Sequence, residues 1–164
     1  MSKQSDARLV LAIATVFGTG RSRFAPGTAG SVVALPFAWL IAEFCGRGWL
    51  LLAATLILLP IGTWACEIYA RAKGEVDPKE CVIDEVVGQW IVCAFAPIQT
   101  AWYISVLWYA AAFVLFRVFD IWKPWPISWV ERKVPGGLGI MADDVAAALI
   151  ASVIIAIVAH VVIS

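Results

Sequence analysis

The chain has 164 residues, of which 62% are hydrophobic and only 15% charged, with a mean hydropathy of +0.89 and no net charge. Soluble domains are nearer half apolar and a quarter charged, so the composition describes a membrane protein of one domain. A chain with no excess of positive charge offers no nucleic-acid surface. The four cysteines, Cys45, Cys66, Cys81 and Cys93, show no CxxC spacing and read as buried reduced thiols rather than as a zinc site or disulfide framework.

Residues 1–16 combine basic positions with an apolar stretch, Leu9 to Phe17, that is too short for a bilayer needing about 20 apolar residues. No small-x-small cleavage pattern follows, so the segment reads as a short N-terminal interfacial helix rather than a signal peptide. Uncharged runs then occupy Ala29 to Phe44, Trp49 to Cys66, Val86 to Phe116 and Val145 to Ser164. As one helix the third would be about 46 Å long, well beyond a hydrocarbon core of about 30 Å. A hairpin turning near Pro97 and Gln99-Thr100 resolves this. The expected architecture is all-α, a polytopic helical membrane protein with about five transmembrane helices, residues 1–164 forming one domain.

Basic residues fall 4, 1, 3, 0, 4 and 0 in the successive segments outside these spans. That alternation is the positive-inside pattern for a cytoplasmic N-terminus. Nearly all charges then lie on the cytoplasmic side, in Arg21–Ser31, Glu67–Glu85 and Arg117–Asp144; only Glu43 and Arg47 belong to the other face.

Five carboxylates stand at three predicted cytoplasmic span ends: Asp84 and Glu85 in "VIDEVVGQW", Asp120 in "FRVFDIWKPWPI", and Asp143 and Asp144 in "GGLGIMADDVAA". A carboxylate near mid-bilayer costs about 2.5–3.5 kcal/mol and less at the edge, so such acids face water, a partner or a metal. Each has a plainer reading. Asp143, Asp144 or Asp84 could cap a helix start, Asp120 could pair with Arg117 or Lys123, and Glu67 with Arg71 forms an ordinary i,i+4 pair. Paired acids exceed what a cap needs, because neighbours on a helix point about 100° apart. If they converge, their repulsion calls for a hard divalent cation, and oxygen-only ligands suit Mg²⁺. The candidate ligands are Asp84, Glu85, Asp120, Asp143 and Asp144.

The stretch "FGTGRSRFAPGTAGS" puts glycines, hydroxyls and arginines ahead of a helix start. Backbone amides there could hold an anion, or the arginines could simply meet lipid phosphates. Arg23, Pro26, Gly27, Thr28, Gly30, Ser31 and Lys123 are the candidate phosphate-binding residues. There is no P-loop lysine, no cysteine-phosphatase spacing and no DxDx[TV] motif, and the lone His160 lies at the far end of the last span. Carboxylates, hydroxyls, cations and a metal remain, an inventory suited to metal-assisted phosphoryl transfer to water.

Together, "GTGRSRFAPGTAGS", "VIDEVVGQW", "FRVFDIWKPWPI" and "GGLGIMADDVAA" resemble, in order and spacing, the blocks of the bacterial phosphatidylglycerophosphatase A family. The resemblance runs from Phe17 to the end of the chain. It implies an integral inner-membrane phosphatase that uses Mg²⁺ to convert phosphatidylglycerophosphate, its lipid partner, to phosphatidylglycerol. By matching position the acidic set is Asp77, Asp84, Glu85, Asp120, Asp143 and Asp144, with Lys123 beside them. The catalytic candidates are Asp84, Glu85, Asp120, Lys123, Asp143 and Asp144, with no one carboxylate assigned as nucleophile. The alternative is a small divalent-cation transporter with a carboxylate-lined path, which would spread its acids across the bilayer. Oligomeric state is left open by the sequence.

Overall fold

A computed structural model describes residues 3–45, 48–98 and 101–163, the side chains of residues 3, 4 and 43–45 excepted. Gln99-Thr100 and Arg47 therefore lie outside the described residues, and the side chains of Glu43 and Cys45 outside the described side chains. The described residues form seven α-helices and no strand: α1 (Lys3–Ala14), α2 (Pro26–Cys45), α3 (Gly48–Lys73), α4 (Ile83–Ala94), α5 (Trp102–Trp122), α6 (Ile127–Lys133) and α7 (Gly136–Ile163).

The central element is α4, which packs against α2, α3, α5 and α7. Nine of its residues are buried, Asp84 and Gln89 among them. Close approach is achieved with small side chains, as expected where helices associate by packing. Ala34, Ala38 and Ala42 recur at helical spacing along α2, and Ala147, Ala148 and Ala151 line α7, all buried. At Gly88 a Cβ would strike the Phe116 ring, 2.5 Å away, so α5 rests directly on the backbone of α4. The Trp90 indole N–H donates to the Ala34 carbonyl at 3.0 Å, joining α4 to α2. Leu56, Ile57, Leu107, Val114, Val153 and Ile157 point outward, an apolar exterior that suits a hydrocarbon solvent.

Among the described residues three helices, α3, α5 and α7, are long and apolar enough to cross a membrane. The remaining two of the expected five differ in length. In α2 the apolar stretch covers Pro26–Ala42. At 12 residues, α4 spans about 18 Å, short of the core. The hairpin expected near Pro97 does separate two helices, with α4 ending at Ala94 and α5 starting at Trp102.

Boundaries shift toward the charged segments. α7 begins at Gly136, not Val145, so Asp143 and Asp144 lie about two turns inside it and neither caps it. Glu67 does that instead: its Oε2 accepts the Gly137 N–H at 2.5 Å while its Oε1 meets Arg71 at 2.6 Å. The expected Glu67–Arg71 pair is thus present, with a second task. Cys66 and Cys81 are disulfide-bonded, correcting the expectation of reduced thiols. The chain folds back after α3 and leaves their Cα atoms 6.3 Å apart, within the range a disulfide requires. Cys93 is buried and free.

Candidate active site

The ends of three helices, the second and third turns of a fourth and a loop converge on a cavity of about 250 Å³. The first turn of α4 supplies Asp84 and Glu85, where acids meet the positive end of the helix dipole favourably. The last turns of α5 supply Arg117 and Asp120; α7 supplies Asp143 and Asp144. The loop between α3 and α4 adds Asp77, Lys79 and Cys81, and Ala25, Pro26 and Gly27 at the start of α2 complete the wall. Gly27 is required by proximity, since a Cβ would collide with the Glu85 carboxylate and lie 3.1 Å from Nη2 of Arg117.

Lys123 caps the end of α5 in the left-handed region, with φ 45°. Pro124 follows it and disfavours helical backbone at this position. This conformation, uncommon for a residue with a side chain, accompanies contacts of its ammonium with Asp143 Oδ2 at 2.5 Å and Glu131 Oε1 at 2.8 Å. Burial alone would lower the Lys123 pKa, but the hydrogen bonds to Asp143 and Glu131 outweigh it and raise the pKa above the ordinary lysine value. The ammonium is thus held between two carboxylates.

The carboxylates divide by partner. Asp120 Oδ2 is held by Arg117 Nη1 at 2.6 Å, and Asp143 by Lys123. Arg117 also lies 3.8 Å from Glu85 Oε1 and donates to Ser31 Oγ at 3.4 Å. Asp84, Glu85 and Asp144 form a trio in which one oxygen from each lies within 4.8 Å of the others. Glu85 Oε2, Asp143 Oδ1 and Asp144 Oδ2 are buried with no hydrogen-bond partner, as is Arg117 Nε.

Six carboxylates thus face three cations in one cavity, and buried acceptors left unmade are costly. A hard divalent cation fits this donor set: every unsatisfied acceptor on the wall is a carboxylate oxygen, and neither histidine nor a free thiol lines it. A larger groove of about 720 Å³ between α3 and the start of α7 is mostly apolar and lies outside the acidic trio.

The five predicted acids and Lys123 all line this cavity, with Pro26 and Gly27. Other candidates from the glycine-rich segment do not. Arg23 is exposed; Gly30 packs its Cα against Val82; Ser31 is buried and donates to the Gly27 carbonyl at 3.1 Å; Thr28 is half-buried and off the wall. Two cationic wall residues were not among the sequence candidates, Arg117 and Lys79. Arg117 had a legible signal, its i,i+3 spacing to Asp120. Lys79 had none, because its place depends on how the loop returns.

The sequence profile described as Phosphatidylglycerophosphatase A matches residues 12–159. The chain is 40% identical over 149 residues to Phosphatidylglycerophosphatase A of Escherichia coli (strain K12), covering 90% of this chain and 82% of that protein. It is 37% identical over 143 residues to Phosphatidylglycerophosphatase A of Haemophilus influenzae, covering 87% and 84%. A Bacteroides thetaiotaomicron protein provisionally named a phosphatidylinositol-3-phosphatase is 39% identical over 154 residues, covering 91% and 92%. No solved structure matches. The profile covers most of the chain and the relatives align along most of their own lengths, so this protein belongs to the phosphatidylglycerophosphatase A family.

Proposed function

We propose that the protein hydrolyses the terminal phosphomonoester of phosphatidylglycerophosphate, releasing phosphatidylglycerol and phosphate. The observation that carries this reading is the converging Asp84–Glu85–Asp144 trio, with Glu85 Oε2 and Asp144 Oδ2 buried and without a hydrogen-bond partner, in a cavity lined by apolar helices, in a chain whose relatives bear that activity in their names. Residues 1–164 act as one domain in a bacterial inner membrane, with α1 at the interface, α2 and α4 completing a five-helix membrane unit, and the cavity facing the cytoplasm. The basic-residue alternation supports that orientation.

Asp84, Glu85 and Asp144 would hold Mg²⁺, with Asp120 and Asp143 alongside. When bound, such an ion polarises phosphate oxygens and lowers the pKa of water. The protein's own groups do the rest. Arg117 and Lys123 neutralise charge on the phosphoryl group, and the buried, unpartnered Asp143 Oδ1 accepts the proton of the water that attacks phosphorus. Pro26 and Gly27 limit the width of the cavity, while the acyl chains stay in the bilayer.

A second reading retains the chemistry and changes the headgroup, because the Bacteroides relative is named for a phosphoinositide. The transporter reading has no support. Phosphate release by purified protein from phosphatidylglycerophosphate and from phosphatidylinositol 3-phosphate, with Mg²⁺ and with chelator, decides among them. Release from the first lipid only with Mg²⁺ is expected. Release from neither would end the reading, and full activity in chelator would remove the metal from it.

A further inference from the structure

The segment joining α1 to α2 is a hook that the cavity chemistry leaves unused. Val16 and Phe17 have φ of 47° and 54°, followed by Gly18 at 93° and a 3₁₀ turn at Thr19–Arg21. A β-branched residue rarely takes this conformation, yet the hook is firmly built. Thr15 Oγ1 donates to the Leu11 carbonyl at 2.7 Å and accepts the Gly18 N–H at 3.0 Å; the Gly20 N–H meets the Thr15 carbonyl at 3.0 Å. The Val82 N–H donates to the Ala14 carbonyl at 2.9 Å, tying the hook to the residue before α4.

This rigid frame turns two aromatic rings outward, Phe17 at 90% and Phe24 at 87% exposed. Between α1 and the 3₁₀ turn lies a cleft of about 290 Å³ with Arg8 and Arg21 on its wall and Phe17 at its edge. Among the described residues, none of Arg8, Arg21 and Arg23 makes an ion pair within 4.0 Å. The hook also sits at the charged end of the apolar helices, since α1 packs along α3 and the loop leaving α3 returns beneath the hook through Glu80 and Val82.

We infer that this hook docks on the surface of an anionic bilayer. The Arg8–Arg21 cleft takes a lipid headgroup phosphate, Arg23 meets a neighbouring headgroup, and Phe17 and Phe24 seat at the acyl boundary. Arginines present paired donors that match phosphate oxygens, and exposed aromatics beside basic residues form the usual interfacial pairing. The surface lies outside the acidic cavity, apart from the neighbouring Ala25–Gly27 wall, and binding to it needs no turnover.

Hydrogen exchange tests it without substrate, so the result stands apart from the phosphatase reading. The full chain is placed in nanodiscs of phosphatidylcholine, with or without phosphatidylserine, and exchange is followed across residues 15–24. Each engaged arginine is expected to slow exchange about five-fold in the anionic discs, the ratio set by a basic group near a charged leaflet. In the R8Q/R21Q double variant the difference between discs should vanish, while F17S should weaken protection in both. Unchanged exchange in α7 will show that the variants are folded. Equal exchange of the wild type in the two discs, or a double variant that keeps the full difference, would overturn the inference. So would equal slowing by inorganic phosphate in phosphatidylcholine discs, because the occupant would then be free phosphate and not a membrane.

Discussion

Glu67 on α3 accepts the backbone N–H of Gly137 at 2.5 Å and thereby closes the start of the helix that carries Asp143 and Asp144. The first amides of a helix have no partner within it, and here the partner comes from 70 residues earlier. Both glycines at this point lie against Glu67. A Cβ on Gly136 would strike its carboxylate, and one on Gly137 would lie 2.7 Å from its backbone nitrogen. The contact fixes how far α7 advances along α3, and with it the position of the two aspartates.

Glu67→Ala is therefore expected to lower the unfolding temperature, since the Gly137 N–H loses its acceptor, and to lower phosphate release as α7 shifts. Glu67→Gln keeps an acceptor oxygen and should restore most of both. Thermal unfolding in detergent alongside the phosphatase assay measures the two effects. Equal loss in both variants would show that charge, not the cap, matters.

Gly27→Ala introduces a methyl where the Glu85 carboxylate lies. Overfilling a packed site costs about 1–3 kcal/mol, here taken up by moving Glu85 and Arg117. The expected outcome is a large fall in activity and a higher Mg²⁺ requirement. Gly88→Ala, against the Phe116 ring, should instead lower stability first. Comparing unfolding temperature with the Mg²⁺ concentration for half-maximal activity separates them.

The division of the acids predicts unequal responses. Asp84→Asn, Glu85→Gln and Asp144→Asn remove members of the converging trio and should each raise the Mg²⁺ requirement or abolish activity. Asp143→Asn breaks a bridge with Lys123, leaving that half-buried cation only the more exposed Glu131 as a carboxylate partner. Breaking a buried pair from one side costs about 3–5 kcal/mol, an upper figure for this partly open site, so stability should fall with activity. Lys123→Met combined with Asp143→Asn should recover part of that stability. If all four acid variants lose activity with unchanged stability, the division has no energetic meaning.

The Cys66–Cys81 bond closes a loop across a sequence separation of 15 residues, and a loop of that size contributes about 3 kcal/mol in the chain-entropy picture. Reductant, or Cys66→Ser, is expected to lower stability by up to about that amount. Thiol labelling of unfolded, unreduced protein should leave Cys66 and Cys81 unmodified and reach Cys93. Labelling of all of them would show the pair to be reduced.

Much of the site was legible because charge is rare in this chain. Against a background of apolar runs, Asp84, Glu85, Asp120, Asp143 and Asp144 stand out, and lipid tolerates them only where they meet one another, water or an ion. Arg117 was visible beside Asp120 but read as its partner alone. Its contact with Ser31 and its approach to Glu85 join residues far apart in the chain. In the glycine-rich stretch, Gly20 and Gly30 lie against Glu80 and Val82, a packing role that local sequence does not show.

By itself the sequence determined that the protein is helical and apolar, where its acids cluster, and to which family it belongs, because hydropathy, charge and motif order are properties of the linear chain. Only the tertiary structure decided that Arg117 holds Asp120 and Lys123 holds Asp143, and that Asp84, Glu85 and Asp144 gather into one trio. It also decided that Glu67 caps α7, that Cys66 meets Cys81, and that α4 is a short buried helix. Those outcomes rest on side chains from separate helices arriving within a few ångströms of one another, a distance that no local periodicity encodes.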